Sequence, residues 1–406
     1  MAQTRLPAIL EMFRSRDPAV RKQAKPHFQA LAEGGLTAAE CRMALEAATE
    51  DWGHLKKGDM SRVLVVAATL SPHFPNPAII AEFAARISAA ALSDGMEFLA
   101  SQHSPASAAA YLTIVEQHLA LALEADVEIK EFAAAAQAVE VLFPPLFKCT
   151  QYPPLKRRIH ELALAACEKG TFPQASLTQL AGSALETFLP LRERMRPMER
   201  PGDDDWIWCD EYCDYRWQAV LLLDLMGYLP GTEIIAELHA AVQSADPQVR
   251  CLGVVGLLRH GHEVPATAIE SVAASAETRN WLHHALTSLG RIDLFPPRYA
   301  TQEAFAQSNM VSWLAFPTEL ARTPHEIELM AAFPGATGDQ RYYLFRFRAH
   351  EHDEWLAGVS GPFNIGTSPA PQEGKATWSS FAAWDTMTPR EHFEQLTKIR
   401  EHPKHA

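Results

Sequence analysis

Helical periodicity from the start of the chain to about residue 295 is the feature that most restricts the fold. Apolar residues recur there three and four positions apart, and brief segments rich in Pro, Gly, Asp and Ser separate the periodic segments. In the segment 154–169, for example, Leu155, Ile159 and Leu162 share one face, a proline begins it and a glycine follows it. A mostly α-helical chain with such short links favours stacked antiparallel helix pairs over one closed bundle.

A five-residue motif occurs twice in this helical stretch. Asp17-Pro18-Ala19-Val20-Arg21 near the start returns as Asp246-Pro247-Gln248-Val249-Arg250. In both copies the aspartate can cap a helix, the proline occupies the first helical position, where no donor is lost, and the valine is expected to face inward. We therefore assign these residues a structural role at the turn between two helices.

The motif resembles the HEAT repeat, in which it begins the second helix of a helix pair. The best copy covers residues 232–261, a further pair follows residue 265, and residues 1–34 hold a third copy. The resemblance implies a HEAT-like α-solenoid over residues 1–295. Pro26 lies inside the helix that follows the first motif, so that helix is expected to kink or end there.

The composition changes after residue 295, and residues 296–406 are expected to form a small α+β domain. Three short segments, 327–333, 341–348 and 355–359, predict an antiparallel β-meander within about residues 327–360. The middle segment alternates, with Tyr343, Phe345 and Phe347 on one face, and so small a sheet must pack on helices.

The end of the chain combines a predicted loop with a predicted helix. Residues 361–375 are rich in Gly, Pro and Ser and are expected to form a loop. Thr388 and Glu391 have the spacing of a capping box, which predicts a terminal helix at about residues 389–402.

Charge and cysteine content limit the classes of partner and compartment. The formal net charge is −13, of which residues 1–200 contribute −1 and residues 201–406 contribute −12. An acidic half opposes nucleic-acid binding and suits a protein partner with a basic or neutral surface. The six cysteines lack the density of a disulfide framework, and neither a signal peptide nor a membrane span is expected, so we expect a cytoplasmic protein.

The most unusual segment is aromatic and acidic and precedes a predicted helix. Large rigid side chains together with negative charge suit a partner-binding surface. The candidate binding residues are Asp203, Asp204, Asp205, Trp206, Trp208, Asp210 and Glu211. The alternative interpretation is that the aromatic residues are partly core and the acids form a solvated helix start.

The sequence contains no motif that predicts catalysis or a bound cofactor. It has no nucleophile elbow, phosphate-binding loop or dinucleotide fingerprint. Cys209 and Cys213 are four residues apart, but no further ligands at a recognisable spacing accompany them, so no metal site is expected.

These patterns together predict a non-enzymatic scaffold that binds a protein or peptide on a solenoid surface. A narrower form of this expectation is an immunity-type protein that neutralises a toxin. Two alternatives stay open: a HEAT-like DNA-binding protein or alkylpurine DNA glycosylase, and an enzyme similar to bilin lyases, which have related repeats.

Overall fold

The computed structural model describes residues 5–52, 60–124, 127–200, 205–335, 338–365 and 377–401, without the side chains of 378–381 and 399–401. The chain forms two compact units, Met1–Ala184 and Leu185–Ala406. The predicted boundary at residue 295 falls within the second of these units. No helix of the described residues is long and apolar enough to cross a bilayer.

The first unit is built from helices that pack on near neighbours in the sequence. These helices are α1 (Leu6–Arg14), α2 (Pro18–Glu33), α3 (Ala38–Ala47), α4 (Met60–Thr69), α5 (Ala78–Phe83), α6 (Ala89–Ser101), α7 (Pro105–Gln117), α8 (Leu119–Glu124), α9 (Ala136–Leu142), α10 (Pro153–Glu168) and the first turns of α11 (Leu177–Met195). Helix α1 packs on α2, α3 on α4, and α7 on both α6 and α9. The apolar faces of these helices form the core of the unit.

The second unit continues the helical succession and then changes to a sheet. Its elements are the last turns of α11, then α12 (Asp210–Met226), α13 (Thr232–Val242), α14 (Pro247–Arg259), α15 (Ala266–Ala274), α16 (Arg279–Ser288), α17 (Gln302–Leu314), β1 (Glu326–Pro334), β2 (Gln340–Arg348), β3 (Leu356–Asn364), β4 (Thr377–Ala383) and α18 (Pro389–Glu401). Helix α13 packs on α14, α14 on α15, α15 on α16, and α16 on α17. The described strands therefore all follow residue 325, as the sequence predicted.

The contact between α13 and α14 depends on two glycines of α14. A Cβ atom at Gly253 would lie 2.7 Å from the backbone nitrogen of Val242, and one at Gly256 would lie 2.7 Å from the side chain of Leu238. Real Cβ atoms do not approach other atoms so closely, so the two helices meet where α14 has no side chain. Two glycines inside one helical segment predict a close contact with another helix, and the structure confirms it.

The sheet is antiparallel, with its strands in the order β1-β2-β3-β4. The predicted face of β2, formed by Tyr343, Phe345 and Phe347, is buried against α17 together with Met310. The opposite face buries Leu344 and other apolar side chains, and α18 packs on β3 and β4. The prediction that the sheet packs on helices is confirmed.

Four local expectations differ from the structure. The predicted meander gains a fourth strand, β4, and the periodicity did not identify α17. Helical periodicity predicts one helix over residues 77–91, but the structure has two there, with α5 ending at Phe83 and α6 beginning at Ala89. Helix α2 neither ends nor begins at Pro26 but continues to Glu33, because losing one backbone donor leaves the other bonds of a 16-residue helix in place. The capping box of α18 is present, since Thr388 and Glu391 exchange hydrogen bonds.

Candidate functional site

The arginines that follow the helix turns make the same hydrogen bonds in three places. Arg250 donates to the backbone carbonyls of residues 244 and 245, which are six and five positions earlier. Arg21 donates to the carbonyls of residues 15 and 16, and Arg279 to those of residues 273 and 274, at the same two offsets. In each case a guanidinium satisfies carbonyl groups where the preceding helix ends. The shared arrangement links one helix to the next.

The aspartates of the two motif copies cap helices but differ in burial. Asp17 is exposed and accepts a hydrogen bond from the backbone of Ala19 at 2.8 Å. Asp246 is fully buried and accepts from the backbone nitrogens of Gln248 (2.8 Å) and Val249 (3.3 Å). Val249 is itself 7% exposed, so the second motif copy belongs to the core of its unit.

Asp246 also receives side-chain donors from α12. The hydroxyl of Tyr212 donates to it at 3.0 Å, and the guanidinium of Arg216 donates through two nitrogens at 2.6 and 3.0 Å. Arg216 also donates to Glu277 at 2.9 Å. Burial alone would lower the pKa of Arg216, but the two carboxylates outweigh it and the net pKa is raised. The predicted aromatic segment and the predicted motif are therefore parts of one buried polar network.

Two tryptophans of the segment pack against residues of this network. Trp206 is 6% exposed, its ring meets that of Tyr212 edge-on at 4.5 Å, and its indole donates to the carbonyl of Arg200 at 3.1 Å. Trp208 is half-buried, and the guanidinium of Arg216 lies 5.4 Å from the centre of its ring. Trp206 is therefore in the core, whereas the sequence predicted it to be a binding residue.

The acids of the segment have different surroundings. Asp205 is exposed and forms an ion pair with Arg322 at 2.5 Å, whose guanidinium holds the pKa of this carboxyl below its usual value. Asp210 and Glu211 are exposed in the first turn of α12, and Glu211 accepts a hydrogen bond from Tyr215 at 3.0 Å. The predicted binding residues Asp203 and Asp204 lie outside the described residues.

One exposed face of α12 combines charge with a large aromatic side chain. Asp210, Asp214 and Trp217 are four and three positions apart, which places them on the same side of a helix. Both aspartates are exposed, and Trp217 is 72% exposed. We call these three residues the α12 face. The sequence predicted the whole segment from Asp203 to Trp217 to form part of a partner-binding surface, but Asp214 and Trp217 were not among the candidate binding residues, and the alternative interpretation took Trp217 as partly core.

The described residues contain no group of three or more His, Cys, Asp or Glu side chains placed to hold a metal ion. Cys209 is exposed, and the thiol of Cys213 donates to the carbonyl of Ile207 at 3.3 Å. Burial raises the pKa of the Cys213 thiol, which disfavours the thiolate that a metal would need.

No protein-family model matches the chain, and no curated protein or solved structure shows significant similarity to it.

Proposed function

We propose that the protein is a non-enzymatic scaffold whose helix pairs stack as a HEAT-like α-solenoid and whose α12 face binds a protein partner. The repeated hydrogen bonds of Arg21, Arg250 and Arg279 support the first part of the proposal. A stacked repeat needs the same link between helices in every copy, and these arginines supply one.

The observation that carries the binding proposal is the exposure of Trp217. Trp217 is 72% exposed, and tryptophans dominate the binding energy of many interfaces. Asp210 and Asp214 flank it on the same helix face, so the surface combines an apolar anchor with negative charge. A partner with basic side chains fits this combination, because lysine or arginine can stack on the indole and pair with the carboxylates.

The same face opposes the DNA-binding alternative, because carboxylates repel phosphates. A toxin-neutralising role is the narrower form of the proposal, in which the partner is a basic toxin. Nothing among the described residues specifically favours the bilin-lyase alternative.

Quantitative affinity capture from an extract of the source organism tests the proposal. Asp210→Ser and Asp214→Ser together, and Trp217→Ala separately, should reduce recovery of the same basic protein by about tenfold or more. Matched controls are Glu233→Ser, an exposed acid of α13, and Phe316→Ala, a 61% exposed aromatic residue. Equal recovery with the α12-face variants and with the controls would contradict the proposal.

A further inference from the structure

A cavity of about 340 Å³ lies in the second unit between the last turns of α11, helix α12, helix α13 and the start of α14. Its floor is apolar and is formed by Phe188, Met195, Leu223 and Val249, each at most 7% exposed. Cavities that bind small molecules have roughly this volume or more, and most of their lining is apolar. Its size therefore suits one small ligand.

The rim of the cavity is charged, but its two carboxylates already have donors. Arg192 places one guanidinium nitrogen 2.5 Å from both carboxylate oxygens of Glu237. Glu199 accepts from the hydroxyl of Ser244 at 3.0 Å and from the backbone nitrogen of Ala245 at 2.9 Å. A ligand cation would have to compete with these donors for either carboxylate.

Arg196 is the rim residue that can accept a new partner. It lines the cavity, its side chain is exposed, and it makes no hydrogen bond or ion pair with any residue that the structure describes. A guanidinium offers a fork of donors that matches a carboxylate. Arg192 and Glu237 offset each other, and Glu199 has only neutral donors, so Arg196 is the rim cation whose donors are available to a ligand.

We propose that this cavity binds a small ligand with an apolar body and one carboxylate. The body lies on the floor formed by Phe188, Met195, Leu223 and Val249, and the carboxylate pairs with Arg196 at the rim. A neutral ligand with the same body binds more weakly because it cannot form the ion pair. A cationic ligand cannot pair with Arg196 either, so it also binds more weakly than the carboxylate.

This site is separate from the α12 face. Ala219 and Leu223 are the residues of α12 that line the cavity. At about 100° per residue, Ala219 lies about 200° around the helix from Trp217. The two surfaces therefore lie on different sides of one helix. Loss of ligand binding and loss of partner binding can be produced by different substitutions, so the failure of one proposal leaves the other standing.

A methyl NMR titration of the full chain tests the proposal, with octanoate, octan-1-ol and octylamine as matched probes. The labelled methyl group of Met195 reports on the cavity, and that of Met310, in the core beside the sheet, is the internal control. Octanoate should shift the Met195 signal saturably and bind about tenfold more tightly than octan-1-ol, as expected for one exposed charge-assisted contact. Octylamine should bind more weakly than octanoate, because it cannot pair with Arg196.

Three variants and one control assign the effect to the site. Arg196→Gln should lower octanoate affinity to that of octan-1-ol and leave the alcohol unchanged, while Arg196→Lys should keep part of the preference. Ala240→Trp, at an exposed lining position, should abolish binding of all three probes. Arg194→Gln changes an exposed arginine two residues before Arg196 that does not line the cavity, and it should leave the affinities unchanged.

Three results would overturn the proposal. The first is a Met195 signal that octanoate does not move, and the second is an equal shift of Met310. The third is an octanoate affinity that Arg196→Gln leaves unchanged.

Discussion

At the scale of single residues, Asp246 shows how burial changes the role of a helix cap. Asp17 and Asp246 occupy the same motif position, but only Asp246 is fully buried and paired with Arg216. Removing one partner of a buried ion pair leaves the other charge uncompensated, which costs much more than losing an exposed cap. The aspartate of the motif is therefore a cap in one copy and the centre of a polar network in the other.

We expect Asp246→Asn to lower the free energy of unfolding by about 3 kcal/mol, because Arg216 keeps only Glu277 as an ionic partner. Urea denaturation followed by tryptophan fluorescence measures the loss. Asp17→Asn is the matched control and should change stability by less than about 0.5 kcal/mol, since asparagine caps a helix as well as aspartate does. Similar losses in both variants would contradict the assignment.

His160 gives a prediction for the pH dependence of stability. It is 2% exposed, its ring nitrogen lies 3.3 Å from the hydroxyl of Ser183, and burial together with nearby Lys156 lowers its pKa from 6.5 to about 4. Between these two pH values the unfolded chain binds a proton that the folded chain does not. Stability from this residue is therefore complete above pH 6.5 and falls as the pH drops toward 4.

The His160 effect is measured by denaturation between pH 7 and pH 4. The parent should lose up to about 3 kcal/mol over this window through His160, and His160→Gln should remove that part of the slope. His73→Gln, at an exposed position, should keep the parent slope. A His160→Gln slope equal to that of the parent would show that this histidine does not control the acid response.

The sequence identified the aromatic segment but not which of its tryptophans is exposed. Trp206 and Trp217 both lie in this acidic segment, and composition alone does not show which of them is exposed. The contacts of Trp206 with Tyr212 and with the carbonyl of Arg200 place it in the core. Such contacts depend on how the chain folds back before α12, and local composition carries no information about that.

At the scale of elements, the close contact between α13 and α14 distinguishes two helical glycines. We expect replacement by alanine to have opposite effects on stability at the two positions. Gly253→Ala should destabilise by at least about 2 kcal/mol, because its Cβ would lie 2.7 Å from the backbone nitrogen of Val242, and backbone cannot move aside cheaply. Gly182→Ala should stabilise by about 0.5–1 kcal/mol, because a Cβ there meets no atom within 4 Å and alanine favours the helix. Thermal and urea denaturation should show shifts of opposite sign. Shifts of the same sign would contradict the close contact.

The sequence patterns did not predict α17 or β4, and in each case the reason is physical. Helix α17 buries the polar residue Ser308, whose hydroxyl donates to the carbonyl of Ala276 and accepts from the backbone of Asn280. A polar side chain on the buried face breaks the apolar period unless its partners are known. Strand β4 pairs with β3 across residues that are rich in Gly, Pro and Ser, and this pairing is non-local. Elements with strong local signals, such as β2 and the capped start of α18, were predicted.

At the scale of the whole molecule, the account combines a repeated helix link with an uneven charge. The hydrogen bonds of Arg21, Arg250 and Arg279 are the same, which supports the proposed stacking of helix pairs. In the proposed function, the net charge of −12 in residues 201–406 favours encounter with a basic partner, and Trp217 is the proposed anchor. The charge should therefore change the association rate, and the indole of Trp217 should change the dissociation rate.

The most direct test of the central claim is the binding kinetics of a captured basic partner measured over a range of salt concentrations. We predict that association slows as salt rises, that Asp210→Ser with Asp214→Ser reproduces this slowing at low salt, and that Trp217→Ala raises the dissociation rate about tenfold or more. Association and dissociation rates that neither salt nor these substitutions change would contradict the proposal that the α12 face binds a basic protein.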